Sequence, residues 1–215
     1  VKSCLENSLA RRLKIHQASN PKEHAEIIAT DIHGALVAAT GKKSDYYQGD
    51  EEWWGKAFNG GLGATHVDGI YFDKSANLYS LNISIPVMDE SNRHAIGVIK
   101  MVLNAKEVFK TILDVKIGKT GHAHLVNSDG KILIEGKKGN TVCAFDTGEI
   151  PPNSAAKMIK PHPSWYIGLC EHCGEKVISA SAPLAITSEM APDSFGGKNW
   201  HIMVHEGESE ALSAL

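Results

Sequence analysis

A repeat constrains this chain more than any other feature. The stretch Val126–Ile134 (VNSDGKILI) restates the strand, polar turn, glycine and apolar strand of Thr30–Ala38 (TDIHGALVA). Gly34 and Gly130 lie 96 positions apart. Pro86 (in SIPV) and Pro183 (in SAPL) lie 97 apart, and each precedes a turn and a last strand, Ala95–Leu103 in one case and Asn199–His205 in the other. Landmarks that recur at one offset imply two copies of one supersecondary unit. A copy of roughly 100 residues is large enough to fold around its own core. The strand-like runs are separated by Asp/Asn/Gly turns, and helices flank them, so each copy reads as α+β: an antiparallel sheet with helices gathered beside it.

The rest of the chain fits around the repeat. Leu5, Leu9, Leu13 and Ile15 fall near one face of a helix that Asn20-Pro21 ends, with Arg11, Arg12 and Lys14 largely off it. A strand, turn and strand follow over Glu26–Thr40, then strands near His66–Phe72, Tyr79–Val87 and Ala95–Leu103, and a helix over Ala105–Leu113. The expected organisation is an N-terminal helix over 1–20, a first module over 21–105 and a second over 106–215. The chain opens on Val1, inside a helix already under way, as a piece of a longer protein would.

Several function classes drop out. A net charge of -3 gives no electrostatic footprint for nucleic acid. No apolar run is long enough to span a bilayer. There is no G-x-S-x-G, H-E-x-x-H or phosphate loop, and nothing pairs a nucleophile with a base, so the chain reads as non-catalytic. Asp50, Glu51 and Glu52 could be taken for acid–base groups, but acids at a helix start are what the helix dipole favours. Cys4, Cys143, Cys170 and Cys173 are too few for a disulfide scaffold. Cys170 and Cys173 have C-x-x-C spacing without a second pair, which is half a zinc motif.

Chemistry concentrates in Ser44–Ala57 (SDYYQGDEEWWGKA). Two tyrosines, two tryptophans and four carboxylates fall within these fourteen residues. The segment reads as a loop entering a short helix that roofs a pocket over the sheet. The matching part of the second copy, Glu135–Met158, holds no tryptophan, and Trp165, Tyr166 and Trp200 read as packing for that copy's core. The working pocket is therefore expected in the first copy.

Taken together, the residues resemble the double Cache family. They are Asp31, Gly34 and Leu36 to Ala38 within Thr30–Thr40; Asp45, Tyr46, Gln48, Asp50, Glu51, Trp53 and Trp54; Ile85 to Val87; Gly97 to Lys100; and IGKTGHA at 117–123 leading into LVNSDG at 125–130. The resemblance runs from about Glu26 to the end. It implies two tandem PAS-like modules behind a longer helix, in the extracytoplasmic part of a bacterial or archaeal transmembrane receptor. The distal module would bind a small molecule and the proximal one pass the signal inward. A two-component sensor histidine kinase is the first expectation for the whole protein, with a chemoreceptor or cyclic-dinucleotide enzyme as other outputs. A homodimer, anchored through transmembrane segments outside this chain, is implied too, and no cofactor is.

The amino-acid-sensing branch of that family carries an arginine before its Trp-Tyr pair and an aspartate on the last strand. Glu51 and Val102 stand there, which argues against a free α-amino acid. Alternation puts Lys100 on the face of Val102, where an ammonium would suit either a protein carboxylate such as Asp73 or a small carboxylate ligand. The expected ligand-binding set is Tyr46, Tyr47, Trp53, Trp54, Tyr71, Asp73, Ser84 and Lys100, with tyrosine hydroxyls and the Trp54 N–H as donors. No catalytic or metal residue is assigned. The competing reading is a metal or redox sensor in the second copy, where His122 and His124 share a strand face and Cys170, His172 and Cys173 follow.

Overall fold

The computed structural model describes residues 2–43, 45–74, 76–136, 144–170, 174–189 and 193–214. Two compact units make up the chain: Val1–Val108 with Met190–Gly196, and Phe109–Glu189 with Gly197–Leu215. The sequence reading put 190–196 in the second module. Asp193 instead pairs with Lys56, and the Ser194 hydroxyl accepts the Val67 N–H, so residues 193–196 pack with the first unit.

The first unit runs α1 (Lys2–Glu6), α2 (Ser8–Ser19), β1 (His24–Asp31), β2 (Leu36–Ala39), α3 (Glu52–Phe58), β3 (His66–Val67), β4 (Tyr71–Asp73), β5 (Leu78–Met88), β6 (Ala95–Asn104) and α4 (Ala105–Val108). Its antiparallel sheet has the order β2-β1-β6-β5-β3, and β4 also pairs with β5. Alternate residues of a strand face opposite ways, so two layers cover the sheet. Ala10, Leu9 and Leu13 of α2 pack on Ala29, Ala38 and Ile99. On the other face Trp53, Trp54 and Ala57 of α3 pack on Ile28, Leu36, Ala39 and Val98, with Cys4 of α1.

Some local expectations give way here. The first helix is two helices, because Asn7 is extended and its side chain accepts the Ala10 N–H at 2.8 Å, an N-cap that starts α2 afresh. Ile15 is 72% exposed and lies off the packed face. The strand expected over 66–72 is two short ones, and the helix expected over 105–113 breaks before Lys110.

The second unit runs α5 (Lys110–Leu113), β7 (His122–Asn127), β8 (Lys131–Glu135), β9 (Ala144–Glu149), α6 (Pro152–Met158), β10 (Ser164–Cys170), β11 (Glu175–Pro183), α7 (Ala185–Glu189), β12 (Trp200–Gly207) and α8 (Glu208–Ala211). Its strand order is β10-β11-β12-β7-β8-β9. Within it, β8-β7-β12-β11-β10 has the arrangement of β2-β1-β6-β5-β3 in the first unit, with β9 added at one edge. The repeat is therefore structural, and its turns match bond for bond. Asp31 Oδ1 accepts the N–H groups of His33 and Ala35, as Asn127 Oδ1 accepts those of Asp129 and Lys131. Gly34 and Gly130 close the two turns at φ of 81° and 90°.

Val126, Ile132, Met158 and Met203 form a core cluster of this unit, with Tyr166 against it, and Trp200 is buried. Trp165, expected inside, is 72% exposed: β10 is an edge strand, and Trp165, Ile167 and Leu169 share its outer face. Cys143, His172 and Cys173 lie outside the described residues. No helix among the described residues is long and apolar enough to cross a membrane.

One turn yields a pH prediction. Asp89 sits at the β5–β6 turn, where its Oδ1 accepts the Arg93 N–H at 2.9 Å and the His94 N–H. These bonds, the Arg93 N–H foremost, hold its carboxyl at about 2 against an ordinary 3.8. A carboxylate whose folded pKa is depressed stabilises the fold above its unfolded pKa, and loses that contribution as pH falls through the folded value. Asp89→Ala should therefore melt below the parent at pH 6, with the gap closing between about pH 4 and about pH 2. Melting curves across that range check it, and a gap independent of pH would refute it.

Candidate functional site

Register decides what the α3 side of the first sheet presents. Residues directly opposite in antiparallel strands project to the same face. Ala39, Ile28, Lys100, Ser84 and His66 form one such row across β2, β1, β6, β5 and β3. Val102 and Asn82 are opposite each other in the next row, and Tyr71 stands opposite Ser80 beyond it. The row is apolar where α3 packs tightly and polar towards β3. At that polar end a cavity of about 350 Å³ opens, lined by Glu51, Glu52 and Trp53, by Lys56, His66 and Asp68, and by Gly69, Tyr71, Asp193 and Gly196. Its volume is in the range of small-molecule sites.

The lining is acidic and internally tied. Lys56 pairs with Glu52 at 2.8 Å and with Asp193 at 3.4 Å. The Glu52 hydrogen bond pushes the Lys56 ammonium up, and Lys56 in turn pulls the Glu52 carboxyl down. His66 Nε2 donates to Asp68 Oδ1 at 3.0 Å, and its Nδ1 is 3.9 Å from Asp193. The other oxygen of Asp68 accepts the Asn82 amide at 3.2 Å, and that amide also meets the Tyr71 hydroxyl. Burial, then the Asp68 charge, pushes the Tyr71 phenol up to about 12, so it stays a donor throughout the physiological range. Four carboxylates face the cavity against one lysine and one histidine.

Behind this lining lies a second polar layer. Lys100 Nζ sits 4.7 Å from the Trp53 ring centroid, in cation–π range. Burial pushes its ammonium down, and the Asp68 charge pulls it partly back. Among the described residues Ser84 Oγ and Asn82 Oδ1 are buried without a hydrogen-bond partner. Buried polar atoms are ordinarily paired, so these two mark a place where the chain alone does not complete the bonding. The second unit offers a much smaller cavity, of about 50 Å³.

Two modules that share a five-strand order, with a cavity under α3 of the first, invite comparison with solved structures. The extracellular domain of rpHK1S-Z16, assigned as a histidine kinase, superposes with a TM-score of 0.65 at 14% identity, over 95% of this chain and 79% of that one. The ligand-binding domain of the Pseudomonas aeruginosa amino acid chemoreceptor PctB, in complex with L-Arg, gives 0.63 at 20% identity, over 98% and 79%. The sensory domain of the Campylobacter jejuni chemoreceptor Tlp3 gives 0.62 at 12% identity, over 95% and 75%. The fold is that of a Cache-type sensor domain. No protein-family model matches the sequence, and no curated protein matches it.

Within this Cache-type fold the eight expected ligand residues separate. Trp53 and Tyr71 line the cavity. Lys100 and Ser84 stand behind it in the sheet, on the same face. Asp73 is at the end of β4, and its charge reaches Lys100 and Tyr71 without lining the cavity. Tyr46 and Tyr47 are half exposed on the loop before α3, where Tyr46 O accepts the Leu36 N–H and Tyr47 bridges Ala35. Trp54 is a core residue: its Nε1–H donates to Thr30 Oγ1 at 2.8 Å and its ring stacks on Phe58, so the donor expected for the ligand is already committed.

Sequence reasoning passed over Lys56, His66, Asp68 and Asp193. His66 and Asp68 stand two apart at β3, a spacing that could have placed them on one face, and Glu52 and Lys56 are an i,i+4 helix pair. Asp193 comes from a distant segment and carries no local signal. A separate grouping of metal-ligating side chains lies in the second unit, at His122, His124 and His205.

Proposed function

We propose that this chain is the extracytoplasmic ligand-sensing part of a transmembrane signalling receptor, and that its first unit binds a small amine-bearing molecule. The observation that carries this is the 350 Å³ cavity with Trp53 and Tyr71 as walls and four carboxylates around them. The small carboxylate expected from Lys100 fits less well. Lys100 is outside the lining, and the lining's own lysine is tied to Glu52 and Asp193. A cationic head placed by Asp68 and against the Trp53 and Tyr71 rings matches both the charge and the aromatic faces. The likeness to sensor domains supports a binding role, and solved relatives include one in complex with L-Arg and one with GABA.

Signalling through such a domain requires only that ligand prefer one arrangement of α3 and the sheet beneath it. In a homodimeric receptor that preference would pass through the second module to the output part. Both a histidine kinase and chemoreceptors occur among the solved relatives, and either output is compatible with a non-catalytic sensor.

A thermal-shift screen of amines, amino acids and simple carboxylates, followed by calorimetry on the hits, tests the proposal. Amines should raise the melting temperature where carboxylates lacking an amine do not. Asp68→Asn removes a charged hydrogen-bonding partner worth about 1.5–3 kcal/mol, which corresponds to roughly 10- to 100-fold weaker binding. A carboxylate that binds while every amine fails would return the reading to Lys100. A hit unaffected by Asp68→Asn would place the ligand elsewhere.

A further inference from the structure

The second unit buries three histidines in one place. His122 of β7 is directly opposite His205 of β12, and His124 follows two residues on, so all three project to one face. They are 1%, 4% and 6% exposed. The ring centroids are 4.0 Å apart for His122–His205, 4.8 Å for His122–His124 and 4.7 Å for His124–His205. One nitrogen from each lies within 4.8 Å of the others. The same face continues into Val126 and Met203, where a sheet core takes apolar residues. Three imidazoles interrupt that apolar face and bring three ring nitrogens of metal-binding type together.

The geometry points to a metal site: we propose that His122, His124 and His205 bind one divalent first-row transition ion of the Zn²⁺ class. Zinc holds imidazole nitrogens at about 2.0–2.1 Å, which sets neighbouring ligand nitrogens of a tetrahedron about 3.4 Å apart. Closing from 4.8 Å takes a swing of under ~1 Å per ring, within reach of small χ rotations. His122 already has the supporting arrangement of a ligand. Its Nδ1 is 3.2 Å from the Thr120 carbonyl, which can only accept, so Nδ1 is the donor and Nε2 is the nitrogen that the neutral ring would offer to a metal. A backbone carbonyl behind a metal-bound imidazole fixes its tautomer in this way.

Donor chemistry narrows the metal. Ca²⁺ and Mg²⁺ want oxygen shells, whereas neutral imidazoles suit zinc, copper, iron and nickel. Three protein ligands leave one position open. The 50 Å³ cavity borders His124 and His205, and Cys170, Ser179 and Glu149 share its wall. That wall can supply the fourth donor or admit a water. The site is independent of the amine cavity, which lies in the other unit.

The test uses the whole chain, made without a polyhistidine tag, stripped with chelator and titrated with Zn²⁺ and Co²⁺. The expected result is one equivalent per chain, a rise in melting temperature with Zn²⁺, and intense visible Co²⁺ bands of a four-coordinate site. His124→Phe and His205→Phe keep a ring in the sheet. Each should retain the circular dichroism spectrum, lose the Co²⁺ bands, and weaken Zn²⁺ by more than the roughly 100-fold that loss of an outer partner can cost. If neither variant folds, X-ray absorption of the zinc-loaded parent decides, with three imidazole nitrogens at about 2.0–2.1 Å expected. Absence of stoichiometric binding would overturn the proposal, and so would Zn²⁺ affinity unchanged in His124→Phe. Asp68→Asn must leave metal binding intact, and loss there would assign the ion to the first unit and overturn it equally.

Discussion

Trp54→Ala should cost about 3–5 kcal/mol, the range for emptying a large aromatic from a core. The site explains why the loss would not be recovered. Trp54 packs among Ile28, Leu36, Ala39, Ala57 and Val98, between the sheet and the helix that roofs the cavity, and stacks on Phe58 at 4.5 Å. Its N–H meets Thr30 Oγ1, which also bonds the Val98 backbone and so fastens β1 to β6. Against a total stability of about 5–15 kcal/mol the deficit is large. It should lower the melting temperature by on the order of 10 °C or more. Trp54→Phe keeps most of the volume and removes the hydrogen bond with only part of the ring, for a smaller loss of which about 1 kcal/mol is the hydrogen bond. Urea titrations of both variants check this. An alanine variant of unchanged midpoint that fails to bind ligand would make Trp54 a binding residue, as the sequence first suggests.

The two tryptophans show what a sequence can and cannot disclose here. Their position between a polar loop and a strand-rich run identifies a covering helix, and the covering helix is there. Which ring turns to the cavity and which to the sheet depends on helix phase against partners far along the chain. Thr30 and Val98 settle it for Trp54, and Lys100 stands against Trp53. Strand alternation likewise put Lys100 on the correct face, yet the row geometry leaves it behind the lining. The fold was more legible than the site because local signals determine it: Asp31 and Asn127 build the same turn from their own side chains, and each glycine supplies the positive φ. The carboxylates of the cavity come from a helix start, the residue after a two-residue strand and a segment past residue 190, and only tertiary packing brings these together.

Those duplicated turns permit a paired prediction, because the same substitution meets different surroundings. Gly34→Ala and Gly130→Ala each place a side chain at positive φ, where an L-residue costs about 1–2 kcal/mol. For Gly130 little is added. A Cβ there would stand 3.3 Å from the Ala155 Cβ and 3.4 Å from the Ile150 carbonyl, and a small shift relieves it. For Gly34 the Cβ would fall 2.3 Å from the Gly49 Cα and 2.4 Å from its nitrogen, backbone that no rotamer change can move. Gly49 belongs to the loop that the Gln48 N–H ties to the Gly34 carbonyl at 2.8 Å, and that loop runs directly into Glu51 and Trp53. The clash must push the loop off the turn, so the expected cost is at least about 3 kcal/mol, in the tail reserved for backbone conflicts. It should also weaken ligand binding, since Glu51 and Trp53 line the cavity. Denaturation of the two variants side by side, with calorimetry on whichever amine proves to bind, reads both effects. Equal losses in the two turns would mean that the loop carrying the cavity wall yields freely, and that Gly34 does not position it.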